Sequence, residues 1–176
     1  NKILKSKKII VKKNLLSNMS KLIYKNYFFS KKYNKPYIYG KLAVSKDLFT
    51  KDKKKLYITN LQSLQTGHIL RSKVNCILTT SKTVNDDNPK LNCRIEGLSN
   101  FSPQVAILDK DLKIKNNTFL IKNAKFNKTF IFHNSNDDKK IKFLKSKKVN
   151  VVYCPLFKGN LDFDFIIKDL LKKEIF

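Results

Sequence analysis

"VNCILTTSKTVNDDNPKLNCR", residues 74–94, holds the change of character on which the fold depends. Residues 74–80 form a short apolar, β-branched run, the composition of a strand covered on both faces. Hydroxyls follow at Thr79, Thr80, Ser81 and Thr83, then the acidic pair Asp86 and Asp87, an Asn-Pro turn and a lone arginine, Arg94. In an open α/β sheet the ligand crevice lies beyond the carboxyl ends of the strands, and residues 79–94 leave such an end. The hydroxyls and backbone N–H groups suit phosphate or ribose oxygens, Asp87 suits sugar hydroxyls or an amide, and Arg94 suits an anion gripped bidentately. The same residues also read as an ordinary Asx turn, with Asp86 and Asn88 bonding their own backbone and Pro89 setting the bend.

Outward from this stretch, strand and helix patterns alternate. "QVAILD" (104–109), "KTFIFH" (128–133) and "VNVVYC" (149–154) are further buried-strand runs. "PYIYGKLAVS" (36–45) alternates strictly, placing Ile38, Gly40, Leu42 and Val44 on one side and Lys41 on the other, which predicts another strand. Helical spacing of Leu15, Leu16, Met19, Leu22 and Ile23 behind Asn14 predicts a helix over 14–26. Thr59 is placed to cap a helix carrying Leu61, Leu64, Ile69 and Leu70 up to Arg71. A weaker helix is expected over 137–147, and Asp162 opens one with Phe163, Ile166, Ile167, Leu170 and Leu171 on a single stripe. Such alternation predicts an α/β layer fold with a mostly parallel sheet. The last helix runs into the final residues with no returning strand, so the chain is expected to be a fragment.

Composition narrows the function. The 176 residues, 41% apolar, suit one globular domain. The formal charge of +25 raises nucleic acid as a partner. Yet Arg71 and Arg94 are the only arginines, and the lysines are scattered through every kind of segment. Phosphate-clamping and base-reading surfaces favour the planar arginine fork, so a nucleic-acid role is disfavoured. Cys76, Cys93 and Cys154 have no C-x-x-C spacing and read as reduced, buried thiols. His68 and His133 have no Cys or Glu at ligand spacing, so no metal site is expected. No apolar run nears the ~20 residues of a membrane span, and the basic start lacks a cleavable leader pattern.

The order of the pieces carries a resemblance. "KPYIYGKLAVSKD", "YIT", a helix ending "ILRS", "CILTTSKTVNDDNPKLNCR" and "QVAILD" resemble the reductase domain of the bifunctional riboflavin-biosynthesis deaminase-reductase, over about residues 11–175. The T-V-x-x-D-D/N-P-x-L-x-x-R block is the most specific part, and residues 15–29 are similar to the lead-in between that family's two domains. The resemblance implies a dihydrofolate-reductase-like fold, helices on both faces of the sheet, and a reductase domain over 14–176 behind a residual connection, 1–13. It implies NADPH as cofactor and 5-amino-6-(5-phosphoribosylamino)uracil as substrate, reduced to its ribityl product. It also implies an upstream zinc deaminase domain, a cytoplasmic setting and a homo-oligomer. By position, Lys41 matches the catalytic strand lysine; Arg71, Leu91 and Arg94 match substrate contacts; Ala43, Tyr57, Thr83 and Asp87 match cofactor contacts. Another reductase of the same superfamily acting on a pterin, and a non-catalytic basic nucleic-acid-binding protein, are the alternative readings.

The departures are specific. Leu48 stands where the family has a turn glycine, Lys55 where a serine meets substrate, and Tyr57 where there is a tryptophan. Lys110 replaces a serine near the cofactor, where its charge suits a 2′-phosphate. The deaminase's H-x-E and P-C-x-x-C signature is not in this sequence, and neither is the reductase's closing Glu-Gly-Gly strand and glycine-rich loop.

Overall fold

The computed structural model describes residues 2–50 and 60–175. Two compact units are distinguished, residues 1–38 and residues 39–175.

Within the first unit the chain forms three short helices, α1 (Lys2–Ser6), α2 (Ser17–Ile23) and α3 (Lys25–Tyr33), none of which buries a residue. The single helix expected over 14–26 is thus two, separated at Tyr24. Asn14 is not the cap: it sits at positive φ, and Leu16 is the residue flanking α2, also left-handed. The apolar stripe finds no surface to cover, since Leu15, Leu16, Met19, Leu22 and Ile23 are all exposed. A helix this short draws its stability from packing, so without a covered face nothing favours one continuous rod. Aromatic contacts are what the unit offers instead, with the Phe29 ring 4.9 Å from Tyr33 and 5.3 Å from Tyr37.

The second unit is built on a four-stranded parallel sheet in the order β1 (Cys76–Thr80), β2 (Gln104–Leu108), β3 (Thr129–His133), β4 (Asn150–Tyr153). Each strand lies beside its predecessor, with Leu78 opposite Ala106, Ala106 opposite Phe130 and Phe130 opposite Asn150. Crossovers α5 (Ser81–Asp87), α6 (Phe119–Lys122) and α7 (Asp138–Ser146) make the parallel connections. A sheet that always advances the same way with crossovers of one hand puts all of them on one face. The side chains agree. Val105, Ile107 and Ile131 pack with Val84 of α5, Leu120 and Ile121 of α6 and Leu144 of α7. The intervening strand residues, Ala106, Phe130 and Phe132, point the other way and pack with Ile166 and Leu170 of α8 (Phe163–Lys172). Both faces are therefore covered, and β3 is buried along its whole length.

A tight antiparallel hairpin, β5 (Leu156–Phe157) and β6 (Asn160–Leu161), makes the reversal from β4 to α8. Lys158 and Gly159 turn it with φ of 50° and 80°, the left-handed pair that matches strand twist. Asp162 then caps α8 by accepting from the Phe165 N–H at 3.2 Å, as its sequence position suggests. Asp137 caps α7 in the same way through the Lys140 N–H at 2.9 Å. Ahead of the sheet runs α4 (Leu61–Ser72), whose cap is Asn60, accepting from the Ser63 N–H at 2.9 Å; Thr59 lies outside the described residues.

The strand expected over 36–45 is corrected: these residues join no ladder among the described residues. Alternation specifies a two-sided ribbon but cannot supply a neighbour, and the side meant for the core is open, with Ile38 and Leu42 exposed. Lys41 is accordingly an exposed residue of an irregular segment rather than a strand lysine. The cysteine expectation holds in part: all three thiols are free and Cys93 and Cys154 are fully buried, whereas Cys76 is half-buried.

Candidate active site

The acidic stretch after β1 folds as a helix, not as an open turn. Thr80 caps α5 by accepting from the Thr83 N–H at 3.3 Å, and the two threonine hydroxyls pair at 3.2 Å. Val84 is completely buried in the core, which fixes the helix's rotation. Its neighbours then brace the next loop. Asn85 Nδ2 donates to the Lys113 carbonyl at 2.9 Å, while its Oδ1 accepts from the Lys115 N–H at 2.8 Å. Asn88, left-handed at φ 41°, ends the helix and accepts from the Phe119 N–H at 2.7 Å. Asp86 pairs with Lys82 at 3.0 Å on the exposed side, and Asp87 closes the last turn. The Asx-turn alternative gives way to this helix, in which Asp86 pairs with Lys82 and the Asn88 side chain accepts from the distant Phe119 N–H instead of from its own turn.

From Asn88 the chain reaches Arg94 by a fixed path. Leu91, at φ 54°, is half-buried against the first core cluster. Cys93 is buried and its N–H donates to Ser102 Oγ at 3.0 Å. Arg94 comes next and is held beside α4, where His68 and Arg71 share a face one turn apart. The Arg94 N–H donates to His68 Nδ1 at 3.2 Å, and its Nε and Nη2 lie 3.4 and 3.3 Å from His68 Nε2. Arg71 Nη1 is 3.5 Å from His68 Nδ1 and donates to the Asn92 carbonyl at 3.2 Å. The only two arginines of the chain thus converge on one imidazole.

The electrostatics follow from that convergence. Burial lowers the His68 pKa, the charges of Arg71 and Arg94 lower it further, and a hydrogen bond with the Asn92 backbone opposes them. Burial likewise lowers Arg71, with Arg94 acting in the same direction and Cys93 against it. Asn92 Oδ1 is buried and has no hydrogen-bond partner among the described residues. A buried acceptor without a donor costs free energy unless something else satisfies it.

The other expected positions fall elsewhere. Thr83 and Lys110 follow the carboxyl ends of β1 and β2, and Lys110 Nζ donates to the Gly159 carbonyl of the hairpin at 2.8 Å. That rim is braced by the Asn134 N–H donating to the Lys110 carbonyl at 2.9 Å and by Asn134 Nδ2 donating to the Cys154 carbonyl at 2.8 Å. Arg71, in contrast, precedes the amino end of β1. Lys41 and Ala43 lie on the unladdered segment, Ala43 half-buried, and Tyr57, like Lys55, is outside the described residues. A groove of about 520 Å³ opens beside β3, β4 and α7, lined in part by His133 and Tyr153, and no expected site residue lines it. Among the described residues no group of three His, Cys, Asp or Glu is arranged to hold a metal, and no helix is long and apolar enough to cross a membrane.

His68 is the residue that sequence reasoning missed. Its signal was its place three residues before Arg71 on a helix.

A family model, the RibD C-terminal domain, matches residues 36–175. The chain belongs to the RibD C-terminal domain family. Solved structures agree on the fold. A diaminohydroxyphosphoribosylaminopyrimidine deaminase/5-amino-6-(5-phosphoribosylamino)uracil reductase from Thermotoga maritima is 20% identical, with a TM-score of 0.75 over 99% of this chain and 47% of that one. Acinetobacter baumannii RibD is 18% identical, with a TM-score of 0.77 over 98% of this chain and 46% of its own. A pyrimidine reductase-like protein from Corynebacterium diphtheriae covers 66% of this chain and 53% of its own at 14% identity and a TM-score of 0.56. The RibD-family chain therefore spans about half the length of these relatives and has their dihydrofolate-reductase-like fold. No curated protein sequence matches it at a significant level.

Proposed function

We propose that the chain is the reductase domain of a riboflavin-pathway enzyme that reduces 5-amino-6-(5-phosphoribosylamino)uracil to its ribityl product. The observation that carries this reading is the meeting of Arg71 and Arg94. Two guanidinium groups around one imidazole repel each other, and a phosphate dianion is the partner that turns their repulsion into attraction. A phosphorylated sugar fits that requirement, whereas a pterin brings no such charge. The orphaned Asn92 Oδ1 adds an acceptor for a substrate hydroxyl or amide.

NADPH is the proposed reductant and, when bound, would supply the hydride for the ribosyl C1. The residues at the carboxyl rim fit a phosphate-bearing cofactor: Lys110 uses one ammonium donor on Gly159 and keeps two. Thr83, Asp87 and Ala43 are the further proposed cofactor contacts, with Tyr57 beyond the described residues. Lys41 is the proposed cation that stabilises charge on the reacting sugar, and Leu91 the apolar contact beside it. A zinc deaminase domain, a homo-oligomer and a cytoplasmic location complete the proposal, by likeness to the family.

The test is turnover of NADPH by the intact gene product with the phosphorylated substrate and with its dephosphorylated nucleoside. Preference for the phosphorylated form, lost on Arg71→Ala or Arg94→Ala, is the expected result. Equal turnover of both substrates by the unaltered protein overturns the assignment.

A further inference from the structure

Four donor contacts address the His68 ring, and the Asn92 backbone carbonyl is the acceptor that faces it. The Arg94 N–H and Arg71 Nη1 address Nδ1, and Arg94 Nε and Nη2 address Nε2. A neutral imidazole has one acceptor nitrogen and carries a proton on the other, so one side always presents N–H against N–H. An imidazolium would be worse, with no acceptor at all beside two fixed cations. The arrangement is thus held together while leaving one donor contact unsatisfied, and an anion is the species that resolves it.

We propose that His68 is a positioning residue that keeps the two guanidinium groups gathered while the site is empty and yields them to the phosphate of a phosphorylated ligand. This rests on the anion-binding reading above and adds a mechanism to it. When phosphate oxygens take over as acceptors, Arg71 and Arg94 are neutralised, and the freed imidazole N–H donates to the anion in turn. Binding then removes the two charges that oppose protonation of the ring, so the protein takes up a proton as it binds. By reciprocity the anion is held more tightly as pH falls through the range where His68 titrates. The charged and titratable groups bearing on the ring are Arg71 on its own helix and Arg94 from the loop, with Cys93 against Arg71.

The chain has only two histidines, so imidazole NMR resonances are assigned with a single His133→Gln variant of the intact protein. Sulfate is the first probe, because it does not titrate between about pH 5.5 and pH 7.5, where histidine does. Saturating sulfate should shift the His68 resonances and raise their titration midpoint, while those of His133 stay in place. Sulfate affinity measured by calorimetry should rise toward low pH, and His68→Asn, which keeps an acceptor and a donor, should abolish that slope while retaining binding. His68→Leu should weaken sulfate and inorganic phosphate about tenfold, the scale of a lost charge-assisted hydrogen bond. Unmoved His133 resonances in each variant report an intact fold. If Arg71→Ala and Arg94→Ala weaken sulfate but the His68 resonances and the pH slope do not respond, the role of His68 is wrong and the anion site stands. If neither arginine variant weakens sulfate, the anion site itself is wrong.

Discussion

Arg71 and Arg94 approach the two nitrogens of one ring: Arg71 Nη1 is 3.5 Å from His68 Nδ1, and Arg94 Nη2 is 3.3 Å from His68 Nε2. They come from segments more than twenty residues apart, and nothing in the packing of a lysine-rich protein requires its only arginines to meet. Replacing Arg94 by lysine keeps the charge but removes the planar fork. We expect Arg94→Lys to raise the KM for the phosphorylated substrate about 10-fold or more, the scale of one lost charge-assisted contact, with a smaller effect on kcat. Steady-state kinetics of the intact protein decide it; an unchanged KM means that the fork does not hold the phosphate.

Asn85 should be a stability residue despite lying in the most family-specific stretch. Its amide makes one bond to a carbonyl and one to an N–H of the 113–115 loop, at 2.9 and 2.8 Å. Asn85→Ala strands both backbone groups, and a loss of about 1–3 kcal/mol is expected. Urea unfolding of the two proteins measures it. Asn85→Asp keeps the acceptor but not the donor and should fall between them.

Much of the architecture was readable from short runs. Residues 104–109, 128–133 and 149–154 became β2, β3 and β4 within a residue or so, because strands buried on both faces have to be apolar throughout. Asp162 announced the cap of α8, since a side-chain acceptor just ahead of the apolar stripe satisfies one of the helix's first N–H groups. Residues 36–45 misled because alternation reports a ribbon's two sides and says nothing about what hydrogen-bonds to its edge. The pairing of Arg71 with Arg94 was suggested by their matching two substrate contacts of the family and by their rarity in a lysine-rich chain. That a histidine joins them was not legible, since three residues on a helix and a left-handed Leu91 had to combine to bring the groups together.

Phe132 tests whether the sheet is covered on its second face. It is completely buried and packs with Ile166 and Leu170 of α8. Phe132→Ala should cost about 3–5 kcal/mol, removing ring contacts and leaving a cavity. A cost under about 1 kcal/mol, the range of exposed positions, would mean that α8 does not cover this face.

Cysteine chemistry separates core from surface. Burial pushes the Cys76 thiol up to about 12, and burial also raises Cys154. Only the thiolate is the nucleophile, so both should react with a disulfide reagent near neutral pH far more slowly than a free thiol. Complete unfolding in denaturant should release all three at one rate. Rapid labelling of Cys76 in the native protein contradicts its burial.

Acid should destabilise the protein in a window set by its histidines. Burial lowers the pKa of His68, as do Arg71 and Arg94; burial lowers that of His133, with Lys145 adding to it and the Ser135 backbone and Asp109 opposing. Both rings therefore bind a proton less readily folded than unfolded. Below the unfolded value of about 6.5 the unfolded chain carries the extra protons, so stability is fully present above it and falls as pH drops through the folded values. Urea midpoints taken between about pH 8 and pH 5 should decline on the acid side. His133→Gln removes one titrating ring and should flatten part of the decline, and adding sulfate should flatten the part that belongs to His68, because the anion neutralises the two charges that oppose its protonation. A midpoint that holds constant across the window shows that neither ring titrates differently on folding.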